Sequence, residues 1–213
     1  MTTIVLIRHG QSVANLNKVF AGHYNVDLSE LGHKQAMITA EEVAGRFPIS
    51  AIYSSDLLRA YNTAVPLSRL TGIDIIPDKG LREIFAGEWE GKGFDELARD
   101  FAHDYSVWKT DIGVSRCTGG ESACELGKRI FSRIAEIAAE NEGKTIAVAT
   151  HAAAIRALMA ACSGEDFSVM KDIPFVSNAS FSVLRVENGK MEFTEVSRDE
   201  HLKELATKLP PSV

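Results

Sequence analysis

Thr3-Ile4-Val5-Leu6-Ile7-Arg8-His9-Gly10-Gln11-Ser12 begins as an apolar, β-branched run and turns at once to polar, reactive residues. A run this short, without alternation of polar and apolar positions, predicts a strand buried on both faces, Thr3–Ile7. Similar short runs follow at Ala51–Ser54, Ile73–Ile76 and Thr145–Thr150. Helical patterns separate them. Ser29–Phe47 has Ser29 as its N-cap and Pro48 past its end. A second helix runs from about Leu57 to Leu70 and stops at Gly72. Ser122 to Asn141 places Leu126, Ile130, Ile134 and Ile137 on one face, with Ser122 and Glu125 at capping-box spacing and Gly143 suited to a left-handed end. Ala152–Cys162 is a helix of small residues. Near the end, Phe181–Val186 and Met191–Val196 flank Asn188-Gly189, a hairpin signal.

Strands alternating with helices imply an α/β fold. The expected form is a three-layer sandwich, a mostly parallel central sheet with helices on both faces, in a single domain over residues 1–213. Residues about 87–120 break the alternation. They hold Trp89, Trp108 and two phenylalanines among charges, and read as a helical excursion over the active-site edge.

Ligands of an open α/β sheet bind beyond the carboxyl ends of its strands. Arg8 and His9 follow the first strand, Ser55-Asp56 and then Arg59 the second, Leu81-Arg82-Glu83 the third, and His151 the fourth. Each has an ordinary structural reading by itself: a satisfied histidine, a surface arginine, a loop acid. Together they suit phosphoryl transfer through a phosphohistidine. Neutral imidazole is a good nucleophile near pH 7. It must approach a dianion, which Arg8, Arg59 and a protonated His151 would neutralise. Glu83 is the candidate acid for the leaving alkoxide and base for the incoming water. His23, His33, His103 and His201 have no assigned place at the sheet edge. No cofactor and no metal is required. A His9–His151 metal site would want a further ligand, and two neighbouring cations would repel the ion.

Composition narrows the partners. The chain carries 23 Lys plus Arg against 29 Asp plus Glu, a net charge of −6, which argues against a nucleic-acid or anionic-membrane binder. Three cysteines fit neither a disulfide framework nor a zinc pattern. Ile146 to Cys162 is too short and too polar to span a bilayer, and the N-terminus lacks a signal-peptide pattern. The expected location is cytoplasmic, the expected partner a small phosphorylated metabolite. An apolar edge strand near Phe181–Val186 would allow a homodimer without requiring one.

These blocks resemble, in order, the motifs of the histidine phosphatase superfamily, the phosphoglycerate-mutase-like fold. Leu6-Ile7-Arg8-His9-Gly10-Gln11-Ser12 with Asn15 is similar to its nucleophile motif, and Gly22 through Gln35-Ala36 to the segment after it. Tyr53-Ser54-Ser55-Asp56-Leu57-Leu58-Arg59-Ala60 resembles its second arginine block. Leu81-Arg82-Glu83-Ile84 with Gly87-Glu88-Trp89-Glu90-Gly91 resembles the acid block, and Thr150-His151 with Ile155-Arg156 the last. The resemblance implies a catalytic set of Arg8, His9, Arg59, Glu83 and His151, with His9 phosphorylated and Glu83 the proton donor. Asn15, Gly22 and Ala152 would join Arg8 and Arg59 in binding substrate. Ala152 stands where the family has glycine, which adds a methyl to the pocket. The block Leu81–Gly91, with its Gly-Glu-Trp-Glu-Gly end, resembles the broad-specificity and small-metabolite phosphatases more than the glycolytic mutases. Residues 87–120 carry four basic residues against seven acids, an acidic cover poorly suited to clamping a bisphosphate. The expected activity is therefore phosphomonoester hydrolysis, with phosphoglycerate mutase as the alternative.

Overall fold

The structure is a computed structural model that describes residues 1–164 and 166–207. Thr2–Arg8 (β1) leads through a single turn, Val13–Leu16 (α1), to Glu30–Arg46 (α2) and Ile49–Ser54 (β2). Leu58–Thr71 (α3) and Ile75–Pro77 (β3) follow, then Phe94–Asp100 (α4), Ala102–Thr110 (α5) and Ala123–Glu140 (α6). Thr145–Thr150 (β4), Ala152–Ser163 (α7), Phe181–Glu187 (β5) and Lys190–Arg198 (β6) complete the order. The six strands form one sheet in the order β3-β2-β4-β1-β5-β6. The first four run parallel; β5 and β6 are antiparallel.

Side-chain alternation divides the core between the sheet's two faces. Val5 and Ile7 of β1 join Ala40, Val43, Ala64 and Leu67, so α2 and α3 cover one face. Ile4 and Leu6 join Leu126, Ile130, Ala154 and Leu158, so α6 and α7 cover the other. Leu126, Ile130, Ile134 and Ile137 are fully buried, each contributing roughly 1.5–3 kcal/mol. Ser122 caps α6 as read from the sequence, with Glu125 closing the box.

The order of β4 and β1 positions the chemistry. Their register pairs Arg8 with Thr150, so the residues that follow, His9 and His151, leave the sheet side by side. Residues 87–120 do form a helical cover, made of α4, α5 and short 3₁₀ turns at Gly87–Trp89 and Ile112–Val114. Its anchor is Trp89, fully buried and meeting Phe20, Tyr105 and Trp108 edge-on.

One expectation is corrected. Phe181–Val186 is not an edge, because β5 pairs with β1 on one side and β6 on the other. With both of its backbone edges paired, it cannot take up a strand from a second copy. Among the described residues, no helix is long and apolar enough to cross a membrane.

Candidate active site

His9 leaves β1 with its backbone fixed: its N–H donates to the Thr150 carbonyl, and its own carbonyl accepts from Ala179 N–H and Asn178 Nδ2. Its ring Nδ1–H donates to the Gly10 carbonyl oxygen at 2.7 Å. That bond fixes the tautomer and leaves Nε2 with the lone pair. Gly10 is required here by proximity, since a Cβ on it would lie 2.6 Å from the Gly32 carbonyl oxygen. The nucleophile turn thus packs backbone to backbone against the start of α2. Gln35 Oε1 also accepts the Gln11 N–H, and Thr63 Oγ1 accepts the Gly10 N–H.

Arg8 and Arg59 are almost wholly buried, and neither has a carboxylate within ion-pairing distance among the described residues. Carbonyls hold them instead: Arg8 donates to Val176, Arg59 to Tyr24 (3.1 Å) and Gly22 (2.7 Å). Phe175 lies under the Arg8 guanidinium, 4.8 Å from Cζ to ring centroid. Burial lowers both side chains to about 10, so both remain cationic at neutral pH. Gly22 sits at φ +50°, and a Cβ there would press on Ala86 and Glu90.

His151 meets the His9 ring at 5.2 Å between centroids, in an edge arrangement. Its Nε2 shares a 2.8 Å hydrogen bond with Ser55 Oγ, and its buried Nδ1 has no partner among the described residues. Burial, then the charge of Arg59, holds its pKa well below the ordinary histidine value; burial followed by Arg59 and Arg8 does the same to His9. Both imidazoles are therefore neutral near pH 7. The protonated His151 expected from the sequence therefore depends on a bound dianion. A dianionic phosphoryl group would oppose the cationic field that keeps it neutral.

Glu83 is held at the N-terminus of α7. Its oxygens accept from Ala153 N–H and Ala154 N–H at 3.2 Å, and from Ile84 N–H at 3.0 Å. Its backbone carbonyl accepts from Arg129 Nη2 and from His23 Nε2. His23 is thus at the site after all, as a clamp on the Glu83 segment. The sequence reading missed it because it comes from a loop, not a strand end.

A cavity of about 500 Å³ opens over these groups. Arg8, His9, Asn15, Gly22, Arg59, Glu83 and Ala152 all line it, and His151 lies fully buried against the His9 ring. Asn15 Oδ1 is occupied by Ser12 and Asn178, which leaves its NH₂ to donate. Ala152 contributes its methyl to the wall as the first residue of α7. Three residues without an expected role also belong here. Ser55, which meets His151 rather than the cavity wall, was findable by the strand-end rule; Arg156, one turn along α7, was legible only as part of the block that starts at Thr150, and Lys171 carried no signal.

The acidic-cover expectation fails on geometry. None of the seven acids in residues 87–120 lines the cavity, whereas Lys109 does. The charged lining is Arg8, Arg59, Lys109, Arg156 and Lys171 against Glu83 alone. Glu90 instead turns toward the Gly22 loop and accepts the His23 N–H, so the acids stay out of the lining and the pocket wall is strongly cationic in a chain that is net acidic.

Comparison with known proteins agrees with this architecture. A "Phosphoserine phosphatase 1" of Hydrogenobacter thermophilus is 29% identical over 96% of both chains. "Phosphoglycerate mutase-like protein 4" of Arabidopsis thaliana is 31% identical over 94% of this chain and 87% of its own. The solved mycobacterial glucosyl-3-phosphoglycerate phosphatase complexed with VO3 superposes with a TM-score of 0.85 at 29% identity, covering 92% of this chain and 99% of that one. A family model matches residues 4–199, and the chain belongs to the histidine phosphatase superfamily (branch 1).

Proposed function

We propose that this protein is a metal-independent phosphomonoesterase that hydrolyses a small phosphorylated metabolite through a phosphohistidine on His9. The observation that carries the reading is a neutral imidazole, its tautomer set by the Gly10 carbonyl, flanked by two buried guanidiniums without carboxylate partners. Such cations feel the charge of Glu83 only at longer range, with no paired carboxylate, and favour an anion between them. Arg8 and Arg59 hold the phosphoryl oxygens, with Asn15 and the Gly22 turn beside them. His9 Nε2 attacks phosphorus in line. The P–N bond forms as the P–O ester bond breaks, and Glu83 gives its proton to the leaving alkoxide. Glu83 then takes a proton from water, whose oxygen displaces His9 from phosphorus and releases inorganic phosphate. His151, driven toward protonation by the arriving dianion, donates a ring N–H to the phosphoryl group and stabilises its transition-state charge.

Two relatives are named as phosphatases of small phosphorylated carboxylic acids, phosphoserine and glucosyl-3-phosphoglycerate, which supports hydrolysis. The cationic lining favours a second reading, intramolecular transfer on a phosphoglycerate. The test is incubation with p-nitrophenyl phosphate and with 3-phosphoglycerate in excess chelator. Release of inorganic phosphate from both supports hydrolysis; accumulation of 2-phosphoglycerate without free phosphate supports the mutase.

A further inference from the structure

Arg156, Lys171 and Lys109 share a property that the hydrolytic machinery does not use. All three line the cavity, and none has a carboxylate within 4 Å among the described residues. Arg156 lies on the same face of α7 as Ala152 and Ala153, one turn farther from the His151 end. Its Nη2 donates to the Met170 carbonyl at 2.7 Å, which aims the guanidinium, while its buried Nε has no partner. Lys171 follows Met170 directly. Lys109, on α5, stands over the Tyr105 ring, 5.1 Å from its centroid.

We infer that Arg156, supported by Lys171 and Lys109, forms a second anion subsite that selects phosphate monoesters carrying a carboxylate. The inference rests on the phosphatase reading of the His9 end and adds the substrate class. The phosphate end already has two guanidiniums and two imidazoles for a dianion. One turn farther along α7 the lining has one guanidinium, partly engaged by a carbonyl, with two flexible ammonium groups on other elements. One guanidinium matches one planar carboxylate through a fork of two N–H donors. Phe175 and Trp108 line the same cavity, and a second dianion in such apolar surroundings would be costlier to desolvate than a monoanion. A carboxylate is therefore the better fit than a second phosphate.

The discriminating pair is 3-phosphoglycerate and glycerol 3-phosphate, which share a three-carbon skeleton and differ in a carboxylate against a hydroxymethyl group. The expected kcat/KM ratio is roughly 10- to 100-fold in favour of 3-phosphoglycerate, the span of one charge-assisted interaction. Arg156→Met should collapse that ratio toward one, chiefly by raising KM for 3-phosphoglycerate, and Arg156→Lys should restore part of it. Lys171→Gln, at an exposed position, should reduce the ratio by a smaller factor while the fold is kept. A wild-type ratio near one overturns the inference. So does an Arg156→Met enzyme whose kcat falls equally on both substrates, which would make Arg156 a structural residue of α7. Failure of the phosphatase reading is seen separately, as absence of phosphate release from p-nitrophenyl phosphate. In that event, calorimetric titration of both compounds reads the subsite alone. Tighter binding of 3-phosphoglycerate that Arg156→Met removes supports it; equal binding overturns it.

Discussion

At the scale of single residues, the geometry makes different demands on His9, His151 and Glu83, and each can be measured. Glu83 is proposed to protonate the leaving group, so Glu83→Gln should lose about 10²–10⁴-fold in kcat on alkyl phosphates. Esters of acidic phenols, whose leaving groups need little protonation, should lose much less. Equal losses on both would argue against Glu83 as the acid. The two imidazoles carry a pH signature. Both are held below their ordinary value by burial, and so stay neutral in the folded chain where the unfolded chain already binds protons. Between the folded value and about 6.5 the unfolded state binds more protons, so stability is present above that pH and is lost as pH falls. Each buried imidazole therefore withdraws stability as the pH falls below about 6.5. Urea midpoints at pH 7.5 and 5.5 should therefore separate by less in His151→Gln than in the parent. An unchanged separation would mean His151 is not held neutral.

At the scale of elements, the strand and helix pattern was legible where burial was uniform and less so where loops set the geometry. Thr145–Thr150 matches its strand end to end, because it is apolar along its length and buried on both faces. Ile73–Ile76 shifted to Ile75–Pro77, since a short strand at the sheet edge has little burial to fix its ends. The strand-end rule found Arg8, His9, Arg59, Glu83 and His151. It missed His23 because that residue reaches Glu83 from a loop held by Glu90. Counting charges misread the cover because a count does not reveal which side chains reach the lining. The close approach of Gly32 to Gln11 was also invisible: a Cβ on Gly32 would lie 2.0 Å from the Gln11 carbonyl oxygen. Gly32→Ala should therefore shift the nucleophile turn, costing about 1–3 kcal/mol of stability and lowering kcat together. Ser122→Ala, which removes the α6 capping box remote from the cavity, should cost about 1 kcal/mol with kcat unchanged. Denaturation and steady-state assays on both variants separate a positioning defect from a stability defect.

At the scale of the whole molecule, the sheet order explains why residues so far apart in sequence meet. Inserting β4 between β2 and β1 brings three strand ends together, so Ser55, His151 and His9 are neighbours through backbone register. The helical cover adds walls, and its acids stay out of the cavity lining. This division reconciles a net charge of −6 with a pocket lined by five cations and one carboxylate. The account stands or falls on a covalent P–N bond at His9. Rapid denaturation during turnover of p-nitrophenyl phosphate, followed by peptide mass mapping, should find an acid-labile phosphoryl group on the His9 peptide and none in His9→Ala, which should be inactive. Undiminished hydrolysis by His9→Ala, with no phosphoryl group on that peptide of the parent, would contradict it.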